Sequence, residues 1–268
     1  MIERIKDLWV HRELLWNMTV KELRVKYKRS VLGFLWSFMN PIIMLAVFSL
    51  VFSILVKNNM KWFVVYLMSG LLPWIFFTNS LMQSVGTIVT NAGLVKKVYF
   101  PREILPIAAV GANIFHFAMQ MVVMFVFLIA LRWHFSPWLA AFPLVLLMQV
   151  MFTLGLALFI SAANVYLRDV QYFVEVATMA WFWITPIVYT MNLVVPKLGD
   201  YLPIYLLNPM TNIVLCYQYI IYNPRYYGPQ AAYISKWGVI GTGVVSIFLL
   251  AFGYYFFYKT ERGFAEQI

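Results

Sequence analysis

The sequence predicts an all-α integral membrane protein with six transmembrane helices, an N-terminal amphipathic interface helix and short external re-entrant helices between spans five and six. Three observations predict it. The 268 residues are 63% hydrophobic and only 11% charged, with a mean hydropathy of +0.79, whereas a soluble domain carries about 25% charged residues. Uncharged runs recur at close to the roughly 20 residues needed to cross a hydrocarbon layer. The charges collect at the ends of those runs rather than on one soluble face. The chain divides into a cytoplasmic interface helix, 1–30, and a six-span domain, 31–268.

The first element is polar enough to avoid spanning. Ile5, Leu8, Trp9, Trp16, Val20, Leu23 and Tyr27 recur near helical spacing, which describes a helix lying in the interface with its basic side toward anionic headgroups. It ends in "KELRVKYKRS", where five Lys and Arg fall between Lys21 and Arg29, and no further charge appears until Lys57. The same cations act as a topology anchor under the positive-inside rule alone. The opening "MIERIKDLWVHRELLW" is too charged for a cleavable signal peptide.

Spans are expected at 34–56, 63–90, 104–131, 139–163, 173–191 and 235–258, with Pro73 and Pro186 as kinks inside the second and fifth. With both termini inside, 14 of the 20 Lys and Arg fall on cytoplasmic segments, so the positive-inside rule places both ends in the cytoplasm. The segment 192–234 lies outside, is rich in Leu, Ile and Tyr, and is interrupted by Pro196, Pro203, Pro209, Pro224 and Pro229. Fragments 201–207 and 210–222 read as short helices dipping into the outer leaflet. The alternative is a surface loop with an interfacial belt of Tyr201, Tyr205, Tyr217, Tyr219 and Tyr222. In the last span Gly238, Thr242 and Ser246 form a small-residue row, extended by Gly241 and Gly253, that permits close helix approach.

Several chemistries are absent from the sequence. The net charge of +10 is spread over span ends, which argues against nucleic acid binding. Cys216 is the single cysteine, so no internal disulfide or cysteine-based metal cluster is expected. There is no G-x-x-x-x-G-K-[ST], G-x-S-x-G or H-E-x-x-H, and no catalytic or metal-binding arrangement. Of the histidines only His116 falls within a span, where helix–helix hydrogen bonding is its ordinary role. Glu103, Asp169 and Glu175 sit at cytoplasmic span ends, and the mid-span polar residues are Asn79, Gln83, Asn113, Gln120 and Gln149. An ion-coupled carrier lacks its mid-membrane carboxylate, and a membrane-embedded transferase lacks an acid, base or metal cluster. Energy then comes from a partner.

Aromatic residues make up 19% of the chain. Residues 181–189 read "WFWITPIVY", and the first span carries Phe34, Trp36, Phe38, Phe48 and Phe52. Such rings stack on the apolar faces of sugars, or else pack between helices and at headgroup belts.

Four stretches in order, "YKRSVLGFLWSFMNPIIMLAVFSLVFS" (27–53), "LLPWIFFTNSL" (71–81), "NAGLVKKVYFPREILP" (91–106) and "NPMT" (208–211), together resemble the membrane (permease) subunit of ABC polysaccharide exporters, which move O-antigen, capsule or teichoic acid chains. The resemblance runs from about residue 20 to the C-terminus. It implies a permease in the cytoplasmic (inner) membrane that exports a polyprenyl-pyrophosphate-linked glycan along a path between two copies, lined mainly by spans one and five. Phe48, Phe52, Trp181 and Tyr189 are the candidate path residues. It implies two separate ATPase subunits holding ATP and Mg, with no cofactor in this chain and no enzymatic activity of its own. The segment 91–103 is then the coupling segment, with Lys96, Lys97, Arg102 and Glu103 at the ATPase. Arg24, Lys28 and Arg29 stand where a lipid pyrophosphate would enter, since phosphate oxygens accept charge-assisted hydrogen bonds. The chain departs from its relatives after "NPMT", where "CYQYII" places Gln218 near an expected arginine. The alternative within the same fold is an exporter of a drug or simple lipid.

Overall fold

The computed structural model describes residues 9–27, 30, 33–51, 62–222 and 233–268, and every regular element among them is helical. The chain runs through α1 (Arg12–Tyr27), α2 (Trp36–Leu50), α3 (Phe63–Thr90), a short α4 (Ala92–Lys97), α5 (Ile104–Ala130), α6 (Phe142–Tyr166) and α7 (Val170–Ile184). It continues through α8 (Met191–Leu198), α9 (Leu202–Leu206), α10 (Pro209–Tyr222), α11 (Lys236–Thr260) and α12 (Phe264–Gln267). Among the described residues, four units are long and apolar enough to cross a membrane: Phe63–Thr90, Ile104–Ala130, Pro137–Tyr166 and Lys236–Gln267. At 1.5 Å per residue, the 28 residues of α3 extend about 42 Å, beyond the roughly 30 Å of hydrocarbon.

These four agree closely with the second, third, fourth and sixth expected spans. The fifth differs. Helix α7 stops at Ile184, so Pro186 ends it rather than kinking it. Thr185 is extended, at φ −92° and ψ 135°, as steric conflict with a following proline favours nearby, and its hydroxyl donates to the Trp181 carbonyl at 2.9 Å. Pro41 and Pro73, by contrast, sit inside helices. The described part of the first span is Trp36–Leu50, and residues 52–61 lie outside the described ones.

Helix α3 is the centre of the bundle, packing on α5, α6, α10 and α7. Its buried rings join Phe76 to Phe117 of α5 and Phe77 to Phe152 of α6. Helices α6 and α11 cross most intimately, because a Cβ on Gly253 would overlap the Gly155 carbonyl, and one on Gly155 would lie 2.5 Å from the Leu249 carbonyl carbon. Thr242 and Ser246 face the same contact and satisfy their hydroxyls on carbonyls four residues back, each at 2.8 Å. Gly241 faces open space, whereas a Cβ on Gly238 would lie 3.1 Å from Asn212 Oδ1 of α10, so the packing row is Gly238, Thr242, Ser246 and Gly253; Gly155, which meets Gly253, had no signal of its own in the sequence.

Helix α10 removes two members of the expected tyrosine belt of 192–234. Tyr217 and Tyr222 are 0% and 1% exposed, so they are core residues and not an interfacial belt. The "NPMT" stretch explains the helix start. Asn208 caps it, its Oδ1 accepting from the Met210 N–H at 3.1 Å, and Pro209 occupies the first turn, where no N–H is needed. Trp133 closes the other end, its indole N–H donating to the Ile221 carbonyl at 3.2 Å. Helix α8 was not anticipated, because Pro196 lies inside it.

Candidate transport path and coupling segment

The N-terminal helix α1 carries two faces. Leu14, Leu15 and Met18 pack against a second, smaller core built from Ile88, Val95, Ile104 and Phe264, and Thr19 fits against Gly111. Lys21 donates to Asn91 Oδ1 at 2.6 Å. Of the expected apolar set, Trp9 and Trp16 are 71% and 68% exposed, with the Arg12 guanidinium 5.8 Å from the Trp9 ring centroid. Period alone does not distinguish the face that meets protein from the face that meets lipid headgroups. Of the candidate entrance cations, Arg24 is exposed; Lys28 and Arg29 lie outside the described residues.

Between α3 and α5 the chain folds back at the end of the bundle that carries the C-terminus. Val95 and Phe100 are buried, while Lys96, Lys97, Val98 and Tyr99 are exposed, Tyr99 completely. The C-terminal segment braces this loop. Lys96 Nζ donates to the Ile268 carbonyl at 2.7 Å. Arg102 donates to the Glu261 carbonyl, and its guanidinium lies 6.0 Å from the Phe264 ring centroid. Glu103 is 1% exposed and accepts from the Tyr254 hydroxyl at 3.4 Å. The four candidate coupling residues thus fall into three groups: Lys97 stands clear, Lys96 and Arg102 tie the loop to the C-terminal segment, and Glu103 lies beneath it. Tyr99, unsupported and facing out, was passed over in favour of its charged neighbours. A cleft of about 490 Å³ beside it is lined by His11, Phe100, Arg102 and Arg262, among others.

Helices α2 and α7 are unlike the others. Among the described residues, α5, α6 and α11 expose only apolar and aromatic side chains along their membrane-crossing middles, as a lipid-facing surface requires. Helix α7 buries only Val174 and Thr178 and exposes Tyr172, Phe173, Val176, Met179 and Trp183. Helix α2 buries Ser37, Pro41 and Leu45 and exposes Asn40, and neighbouring α3 exposes Asn79.

The candidate path rings are placed unequally. Phe48 is half-buried against the core. Trp181 is half-buried, its ring set edge-on to Phe77 and Phe152 at 5.4 and 6.1 Å, and its indole N–H donates to Asn208 Oδ1 at 2.9 Å. Tyr189 donates from its hydroxyl to the Trp183 carbonyl at 2.8 Å, and its own carbonyl accepts from the Tyr66 hydroxyl at 3.0 Å. Phe52 lies outside the described residues. The freely exposed rings are Tyr172, Phe173 and Trp183, which the sequence reading missed at 172 and 173 because they precede the conspicuous "WFWITPIVY" run. Gln218, at the place of the departure, is fully buried and donates to the Pro186 carbonyl at 2.9 Å, so it anchors the break after α7.

Residues 13–222 match the ABC-2 type transporter family. The chain is 33% identical over 272 residues to the O-antigen export system permease protein RfbA of Myxococcus xanthus, covering 100% of both chains. It is 31% identical to a protein of the same description from Klebsiella pneumoniae, over 95% of this chain and 94% of that one. It is also 23% identical to the polysialic acid transport protein KpsM of Escherichia coli, over 73% and 76% of the two chains.

Proposed function

This chain belongs to the ABC-2 type transporter membrane family, and we propose that it is the permease subunit of an ATP-driven exporter moving a lipid-linked polysaccharide across the cytoplasmic membrane. The observation that carries the reading is the end-to-end likeness to an O-antigen export permease. Together with the polysialic acid transporter, it fits polysaccharide export better than export of a drug or simple lipid.

The path runs between two copies of this chain, at the face of α2, α3 and α7. Supporting this, α7 is covered along one narrow stripe only, and the amides of Asn40 and Asn79 are exposed there. A polar amide in hydrocarbon costs several kcal/mol unless it is satisfied, so this face meets protein, water or cargo. Tyr172, Phe173 and Trp183 join Phe48, Phe52, Trp181 and Tyr189 as its aromatic lining. Helices α2 and α7 complete a six-span count with both termini in the cytoplasm. Helices α9 and α10 are re-entrant pieces on the outer side, a role supported by the side chains that cap both ends of α10.

Two separate ATPase subunits, holding ATP and Mg, dock on the coupling segment 91–103. Lys97, Val98 and Tyr99 make the contact, while Lys96, Arg102 and Glu103 hold the segment against α11 and the C-terminal turn. At the inner mouth, Arg24, Lys28 and Arg29 meet the pyrophosphate of the polyprenyl carrier. The deciding experiment deletes the gene in its host and follows surface glycan. Loss from the surface with accumulation inside the cell, restored by the intact gene, is expected. Unchanged surface glycan overturns the reading.

A further inference from the structure

Between α2, α3 and α5 lies a cleft of about 380 Å³ lined by Ser37, Asn40, Asn79, Asn113, His116 and Gln120. Six polar side chains meeting within three apolar helices need a physical reason, and packing supplies only part of one. Asn113 is used by the fold: its amide N–H groups donate to Gln83 Oε1 at 2.8 Å and to the Ala109 carbonyl at 2.9 Å. Gln83 in turn donates to Glu22 of α1 at 2.8 Å, so a polar file leads from the N-terminal helix to the cleft. Ser37 and His116 meet at 3.3 Å. The amides of Asn40, Asn79 and Gln120 form no hydrogen bond within the described residues. Each offers two donors and one acceptor, and each demands a partner at membrane depth.

We propose that this cleft binds one sugar unit of the exported chain, an assignment that rests on the exporter reading. The lining selects the ligand class. Among the described residues no lysine or arginine lines the cleft, so its lining does not answer the charge of a phosphate or a carboxylate. Mixed amide donors and acceptors suit hydroxyl groups, which both donate and accept. Phe76 and Phe117, paired at 5.5 Å, supply an aromatic wall for the C–H face of a ring. The volume lies at the lower end of ligand cavities, which run about 300–1,000 Å³, so it takes a short piece of chain. Rings alone accept any sugar in any register. Fixed amides reject a sugar lacking the matching hydroxyl, because the amide is then left unpaired. The cleft therefore gives the path its glycan preference.

The test uses the full-length permease with its ATPase in membranes of the native host. The deletion strain is scored first, and normal surface glycan there overturns the exporter reading and this site together. Given loss of glycan, Asn79→Cys is labelled with a polar maleimide. Cys216 is buried and contributes little background. Glycan released by mild acid from the host's own surface should slow labelling at least fivefold, while undecaprenyl phosphate leaves it unchanged. Protection by undecaprenyl phosphate, equal labelling in all arms, or no labelling without any addition each overturns the sugar site while leaving the exporter reading intact. In parallel, Asn79→Leu and Gln120→Leu should each lower export about tenfold, the scale of one net hydrogen bond, with Asn79→Gln retaining most activity. Normal export by both Leu variants overturns the proposal.

Discussion

At the scale of single residues, two buried donors hold the break after α7. Tyr66 reaches the Pro186 and Tyr189 carbonyls, and Gln218 reaches the Pro186 carbonyl. Gly70 makes room, since a Cβ there would lie 2.8 Å from Gln218 Nε2. Gln218→Leu leaves a buried carbonyl short of a partner, at a cost of about 1–3 kcal/mol. A lower melting temperature of the detergent-purified chain is expected, and an unchanged one removes Gln218 from this role. The rings divide in the same way. Trp181 is engaged by Phe77, Phe152 and Asn208, whereas Phe173 and Trp183 are 72% and 62% exposed. Trp183→Leu should cut export with little change in melting temperature, and Trp181→Leu should lower melting temperature as well. If Trp183→Leu exports normally, the stacking role of that ring is wrong.

At the scale of elements, the crossing of α6 and α11 and the bracing of the coupling segment each depend on a specific contact. Gly155→Leu forces a side chain into the Leu249–Leu250 backbone, and overpacking of this kind costs about 1–3 kcal/mol or more. Lower yield of inserted, folded protein is expected, whereas Gly241→Leu, facing open space, should leave yield unchanged. Equal yields would mean that the two helices separate without penalty. On the proposed coupling segment, Tyr99→Ala should weaken ATPase co-purification while the permease itself stays folded. Glu103→Gln, buried under Tyr254, should act instead through the permease's own stability. Retention of the full complex by Tyr99→Ala would move the docking site elsewhere.

At the scale of the whole molecule, the exposed stripe Tyr172–Val176–Met179–Trp183 on α7 is the boundary between two copies in the proposed assembly. A Met179→Cys variant should give a cross-linked dimer with a short bifunctional maleimide, and Val244→Cys on the outer side of α11 should not. Dimer formation at 244 alone would place the second copy against the wrong face. The polar residues follow the same division. Gln83, Asn113 and Gln149 are used between helices, Gln149 donating to the Pro73 carbonyl at 2.8 Å, while Asn79 and Gln120 open onto the cleft. Five amides that look alike along the chain thus serve two purposes.

The long helices 63–90, 104–130, 142–166 and 236–260 were legible in the sequence, because crossing hydrocarbon needs local properties only: length, apolarity and charged ends. The cap at Asn208–Pro209 is equally local, since a helix start is satisfied by its own neighbours, but in the sequence "NPMT" reads only as part of a family likeness. Pro186 was misplaced because whether a proline bends or ends a helix depends on what takes up the freed backbone groups, and Tyr66 and Gln218 lie more than 30 residues away in sequence. The fate of 210–222 was open for the same reason: only the packing of α3, α6 and α11 around it makes Tyr217 and Tyr222 core residues. The site divides along this line. Positive charge near a span end is a property of the chain, so Arg24 and Lys97 were found as surface cations. Tertiary packing alone sank Glu103, bared Tyr99, and brought Ser37, Asn79 and His116 from three helices into one cleft, because helix faces are assigned by their neighbours and not by their own period.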